Sequence, residues 1–189
     1  MAGAPLAGEA ESADRHVVVE RPDGLVFAVI DGLGHGPEAV AAAKKAVETI
    51  EKHAPASVTD LLASCHAALG GTRGAVMTVA ELDGPGGKLS WAGVGDVEAV
   101  VHSLRGKRRE SAPLVPGVLG DRMPRPRAHV VPLEAGDVIV LATDGIRRTF
   151  VEEPILQERP IVAAEAILER HGRKTDDALV LVVRYNGAS

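Results

Sequence analysis

The stretch LVFAVIDGLGHGPEAVAAAKKAVETIEKH, residues 25–53, carries a strand, a turn and a helix in succession. Residues 25–30 are an unbroken apolar run of strand-forming residues, as expected of a buried strand. The run stops at Asp31 and enters the glycine-rich turn Asp31-Gly32-Leu33-Gly34-His35-Gly36. Pro37 then occupies a position that a helix start tolerates, and apolar residues recur at helical spacing through Val40, Ala43, Val47 and Ile50. Upstream, HVVVE (16–20) is joined to the run by Arg21-Pro22-Asp23-Gly24, which has turn chemistry. The two strands read as a β-hairpin.

Downstream, Ser57 and Thr59 offer caps for a second helix over 57–69. GAVMTVAEL (74–82), KLSWAGV (88–94) and DVEAVVHSL (96–104) are short strands separated by Gly/Asp breaks, a spacing that predicts an antiparallel meander. Residues 105–126 carry four prolines and many charges and read as a long surface excursion near the active site. Strands follow near 128–132 and 138–143, then a short helix or turn at 145–151, a helix near 160–171 and a strand at 178–185. Hairpins rather than βαβ crossovers link the strands, which predicts an α+β fold with sheet packed on sheet and helices outside. At 189 residues the chain is expected to be one domain over 1–189. Residues 1–13 are small and polar and read as a loose lead-in, with 1–7 its outermost part.

Composition narrows the functional classes. Hydrophobic residues at 46% and charged residues at 25% describe a soluble globular chain. Aromatics at 2% leave the core to Val, Leu, Ile and Ala. A net charge of −5 argues against a nucleic-acid surface, and the basic cluster Arg105, Lys107, Arg108 and Arg109 reads as a solvated loop. The single cysteine, Cys65, lies in the helical pattern LLASCHAAL and reads as a buried structural thiol rather than a nucleophile. With no disulfide partner, no signal peptide and no apolar run near about 18 residues, the expected location is cytoplasmic, with no membrane contact.

Three acidic sites share one local context. Asp31 follows FAVI, Asp144 follows VIVLAT, and Asp176 precedes ALVLVV in Thr175-Asp176-Asp177. Each stands at the end of an apolar strand, where distant parts of a chain can meet on one rim of a sheet. Burying clustered carboxylates without a partner costs several kcal/mol, and divalent cations remove that cost. Hard oxygen ligands suit Mg²⁺ or Mn²⁺, and two such ions can acidify a water and orient a phosphate without a serine or cysteine nucleophile. A glycine after the aspartate lets backbone approach an ion, so the Gly32 carbonyl is itself a candidate ligand. Alone, each Asp-Gly is a common turn dipeptide; the combination carries the signal.

The motifs DGLGHGPEA, GDVIVLATDGI and KTDDALVLVV, with GEAESAD near the start, resemble those of PPM-type (type 2C) protein serine/threonine phosphatases in their SpoIIE-like bacterial branch. TRGAVMTVAEL, WAGVGDVEAVV and PLVPGVLG are most similar to the RsbX group of stressosome phosphatases. The resemblance runs from about residue 8 to residue 185. It implies a four-layer α-β-β-α sandwich and hydrolysis of phosphoserine or phosphothreonine on partner proteins. It implies two Mn²⁺ or Mg²⁺ ions, with Asp31 bridging them, the Gly32 carbonyl on one, Asp144 and Asp176 on the other, and Asp14 on the second ion through a water. Asp177 is then a neighbour that hydrogen-bonds metal-bound water, and Asp96 supports the fold without ligating. The implied partners are phosphorylated STAS-domain stressosome proteins of the RsbS and RsbR type, met by a monomer. The first motif departs from the family form: its Arg-x-x-x-Glu-Asp version is absent, and Ala13 stands where Gly is usual. A phosphatase fold that docks a partner without turnover is the alternative reading.

Overall fold

The structure is a computed structural model that describes residues 1–54, 56–103, 108–123, 125–152 and 158–187. Within the basic cluster, Arg105 and Lys107 lie outside the described residues.

The expected hairpin forms from β2 (Asp14–Arg21) and β3 (Gly24–Gly32). The next elements are α1 (Pro37–His53), with proline in its first turn, and α2 (Val58–Leu69), capped by the Ser57 hydroxyl, which accepts from the Asp60 amide at 3.3 Å. β3 pairs with β4 (Ala75–Asp83), and β4 with β5 (Lys88–Val94). The other sheet is built on β6 (Glu98–His102), β10 (Val138–Ala142) and β11 (Ala178–Arg184), all antiparallel. Helix α3 (Pro160–His171) packs on it.

Side-chain parity explains why these strands are apolar throughout. In β3, Val26, Ala28 and Ile30 face α1 and α2, while Phe27 and Val29 face the opposite sheet. In β10, Val138, Val140 and Ala142 face α3, while Ile139 and Leu141 face the opposite sheet. Both central strands are therefore buried on both sides, and the layers run helix, sheet, sheet, helix. Trp91 and Phe27, both fully buried, anchor the space between the sheets. Truncating a buried aromatic of this kind costs about 3–5 kcal/mol. Cys65 is fully buried as expected, and burial pushes its thiol up to about 12, which removes it as a nucleophile.

Three expectations need correction. The first two strands of the supposed meander pair, but β6 leaves for the other sheet and pairs with β10. Gly95, at φ 95, turns the chain between the sheets. The lead-in is not loose: β1 (Ala2–Ala4) is the edge strand beside β11, in antiparallel register Ala2↔Val180 to Ala4↔Ala178. The 105–126 segment is stitched into the fold where described. It supplies β7 (Arg109–Ser111) to one sheet and β8 (Leu114–Val115) to the other, and buries Leu119 in the helix-facing core. The backbones of Leu119 and Ala75 exchange two hydrogen bonds, and the half-buried His66 accepts the Gly120 amide at 3.1 Å. β9 (His129–Pro132) completes the set against β5.

Candidate active site

The topology delivers the acidic residues to one rim. β2 and β3 are antiparallel, so the start of one and the end of the other coincide, and Asp14 and Asp31 are direct cross-strand partners. The same holds for the end of β10 and the start of β11, where Asp144 and Asp176 lie. The crossover from β5 to β6 passes the same rim at Asp96. Parity continues Phe27 and Val29 into Asp31, so its side chain lies on the inter-sheet face.

A cavity of about 400 Å³ opens there, lined by Asp31, Asp96, Asp144, Asp176 and Thr175, with Leu6, Leu33, Gly34, His35 and Val76 completing its wall. The three aspartates on which the sequence reading rests thus face one space. Asp14 lies behind them, 3% exposed, with its Oδ2 accepting the Thr143 hydroxyl at 2.7 Å. That hydroxyl also accepts the Leu179 amide at 3.0 Å, so its proton is directed to Asp14 and the two sheets are joined at this point.

The proton affinities report the crowding. Burial, and after it the charges of Asp14, Asp144, Asp96 and Asp176, push Asp31 up to about 8. Burial likewise pushes Asp14 up to about 7, aided by Asp177, Asp144 and Asp176 and opposed by the Thr143 hydrogen bond. Asp144 is raised by burial and by Asp176 and Asp96, with Arg173 and the Gly145 amide pulling the other way. Among the described residues, no three acidic, histidine or cysteine side chains already close on one ion-sized point. An all-oxygen donor set with excess negative charge fits a hard divalent ion and gives a soft one nothing to bind.

Both Asp-Gly glycines are needed for close approach. A Cβ on Gly32 would collide with the Ala39 carbonyl of α1, and one on Gly145 with the Asp177 carbonyl. Gly32 therefore seats the first turn of α1 against the end of β3.

Two neighbours differ from expectation. Asp177 does not line the cavity. Its Oδ1 accepts the Leu6 amide and its Oδ2 the Ala13 amide, each at 2.7 Å, and the side chain is buried. Its observed work is to tie the N-terminal segment to β11, which holds Leu6 in the cavity wall and Ala13 beside Asp14. Asp96 does line the cavity, and its charge bears on both Asp31 and Asp144. The signal was present in the sequence: Gly95-Asp96 ends the apolar strand KLSWAGV, as Asp31 and Asp144 end theirs. His35 is largely exposed at the cavity wall, with Nδ1 3.2 Å from Glu9 Oε1. Arg148 is largely exposed and reaches Glu98 at 3.0 Å.

Comparison with known proteins gives consistent matches. A model of the family described as Stage II sporulation protein E (SpoIIE) matches residues 21–186. The chain is 26% identical over 159 residues to the phosphoserine phosphatase RsbX of Bacillus subtilis (strain 168), covering 84% of this chain and 79% of that one. Among solved structures, a chain from work on the bacterial stressosome as a modular system adapted to control secondary messenger signaling superposes with a TM-score of 0.88 at 28% identity, over 97% of this chain and 96% of that one. A crystal structure of RsbX in complex with magnesium superposes with a TM-score of 0.86 at 19% identity, over 96% and 91%. The α-β-β-α layering is common to that structure and this one.

Proposed function

Because the chain belongs to the Stage II sporulation protein E family and is a serine/threonine phosphatase of the RsbX and PP2C type, we propose that it releases phosphate from phosphoserine or phosphothreonine on partner proteins, at the carboxylate-lined cavity. The cofactor in this reading is a pair of Mn²⁺ or Mg²⁺ ions. Asp31, the Gly32 carbonyl, Asp144 and Asp176 would hold them, with Asp14 alongside and Asp96 on the same wall. Bound ions supply a water acidified towards neutral pH and a Lewis acid for the phosphoryl oxygens. The chain's own residues do the rest. Thr143 fixes the orientation of Asp14, and the Asp177 clamp keeps Leu6 in place as an apolar wall. Leu6, Leu33 and Val76 exclude bulk water from one side, which strengthens every charge interaction inside.

The observation that carries this reading is the meeting of Asp31, Asp96, Asp144 and Asp176 on one cavity, from four separate strand ends. The proposed partners are phosphorylated STAS-domain stressosome proteins of the RsbS and RsbR type, whose dephosphorylation resets the stressosome. Support for this comes from the likeness to RsbX and to a chain from work on the stressosome. A cytoplasmic monomer is the proposed working form; among the described residues no helix is long and apolar enough to cross a membrane. The competing reading, a docking module without turnover, is disfavoured by the presence of all three core aspartates, Asp31, Asp144 and Asp176. Phosphate release from a phosphoserine STAS-domain protein with Mn²⁺ supplied tests the proposal. No release from it, together with no hydrolysis of an aryl phosphate, would refute it.

A further inference from the structure

A second concavity of about 340 Å³ begins where the catalytic cavity ends. It is lined by Ala10, Pro37, Val40 and Ala41, with Glu9, Glu11 and Lys44 at its margin and Gly36 at its head. Gly36 directly follows His35 of the catalytic cavity, and the His35–Glu9 contact at 3.2 Å joins one wall to the other. Above Gly36 the passage is open: a Cβ built there would meet nothing within 4 Å. The margin is electrically settled. Glu11 is held between Arg15 and Lys44, the latter at 2.8 Å, so the charge there is offset and the surface offered to a ligand is chiefly apolar.

A phosphorylated residue seated among the rim aspartates must bring its flanking chain with it. Gly36 directly follows His35 of the catalytic cavity, so a residue close in sequence to the phosphorylated one passes beside Gly36. We propose that this groove along the N-terminal half of α1 receives an apolar side chain of the substrate protein, close in sequence to the phosphorylated serine, and so selects among phosphoproteins. The inference rests on the phosphatase reading above and adds the substrate's flanking chemistry to it. The groove shares no residue with the carboxylate cluster, so it can be altered while the chemistry is left intact.

The test uses the whole chain with Mn²⁺ and two kinds of substrate: an aryl phosphate too small to reach the groove, and short phosphoserine peptides carrying leucine or lysine at each near flanking position. Ala41 is exposed and helical, so Ala41→Arg fills the groove without disturbing the core. In the wild type, leucine at one flanking position is expected to lower KM on the order of tenfold relative to lysine. Ala41→Arg should abolish that preference, leave aryl phosphate hydrolysis within about twofold, and Ala41→Ser should retain it. Equal KM values for the two peptide sets in the wild type would overturn the proposal, as would an unchanged preference in Ala41→Arg. A wild-type dimer dissolved by Ala41→Arg would assign the groove to a second copy of the chain and overturn it too. Wild-type protein inert on the aryl phosphate would instead refute the catalytic reading, and this inference would fall with it.

Discussion

Asp14 and Asp31 sit directly opposite one another across the β2–β3 hairpin, two carboxylates in a register where like charges destabilise a sheet. Burial first, and the surrounding carboxylates after it, push Asp14 up to about 7 and Asp31 up to about 8, which lessens the charge the pair carries near neutral pH. That gives the site a clear signature: changes that relieve the repulsion should stabilise the fold while destroying activity.

Asp31→Asn is the sharpest case. Removing this carboxylate takes away a proposed bridging ligand, so turnover of phosphoserine substrate should fall by roughly a thousandfold or more. The same change removes a buried group that repels Asp14, Asp144, Asp96 and Asp176. Metal-free Asp31→Asn should therefore melt at a higher temperature than metal-free wild type at pH 8. Calorimetry beside a phosphate-release assay reads both signs; a variant that loses stability and activity together would mark Asp31 as structural.

The pH dependence follows from the same groups. Asp14 and Asp31 have folded-state pKa values raised above the ordinary 3.8, so between about pH 4 and 8 the folded state holds more protons than the unfolded chain. Stability of the metal-free protein should then decline as pH rises through that window. Mn²⁺ competes with those protons, so its apparent affinity should increase over the same range, with protons released on binding. Isothermal titration in buffers of different ionisation enthalpy counts them. Binding with no proton release at pH 6.5 would contradict the assignment of Asp14 and Asp31 to the ion site.

Thr143 links the two sheets through Asp14 and the Leu179 amide. Thr143→Val keeps the shape but leaves two buried polar groups unpaired, at a cost of about 1–3 kcal/mol. It should also raise the Mn²⁺ concentration needed for half-maximal activity, whereas Thr143→Ser should restore both properties. An unaltered metal requirement in Thr143→Val would confine this residue to a packing role.

Asp177 offers a contrast with its neighbour. Asp177→Ala frees the Leu6 and Ala13 amides, so hydrogen exchange over residues 2–14 should quicken while exchange in β10 and α3 changes little. Asp176→Ala should spare that segment and abolish turnover. If the two exchange patterns are reversed, the residues have been assigned the wrong way round.

Much of the site could be read from the sequence because each apolar run ends in an acid. The hairpin from Asp14 to Gly32 and the Asp144 turn needed only local signals. What escaped depends on distant partners. Ala2–Ala4 has no strand signal of its own and becomes a strand only against Ala178–Val180. β6 is apolar on both faces, so its pattern fits either sheet, and only the Gly95 turn sends it to β10. Asp176 and Asp177 are adjacent acids whose side chains take opposite courses, one to the cavity and one to the Leu6 and Ala13 amides. That choice is made by a segment more than 160 residues away in the chain.

Anomalous scattering from crystals soaked in Mn²⁺ is the most direct measurement. Two strong peaks are expected in the cavity bounded by Asp31, Asp144 and Asp176, both lost in Asp31→Asn. Manganese bound only elsewhere on the surface, or an empty cavity in a protein that still hydrolyses phosphoserine, would contradict the proposed two-ion site.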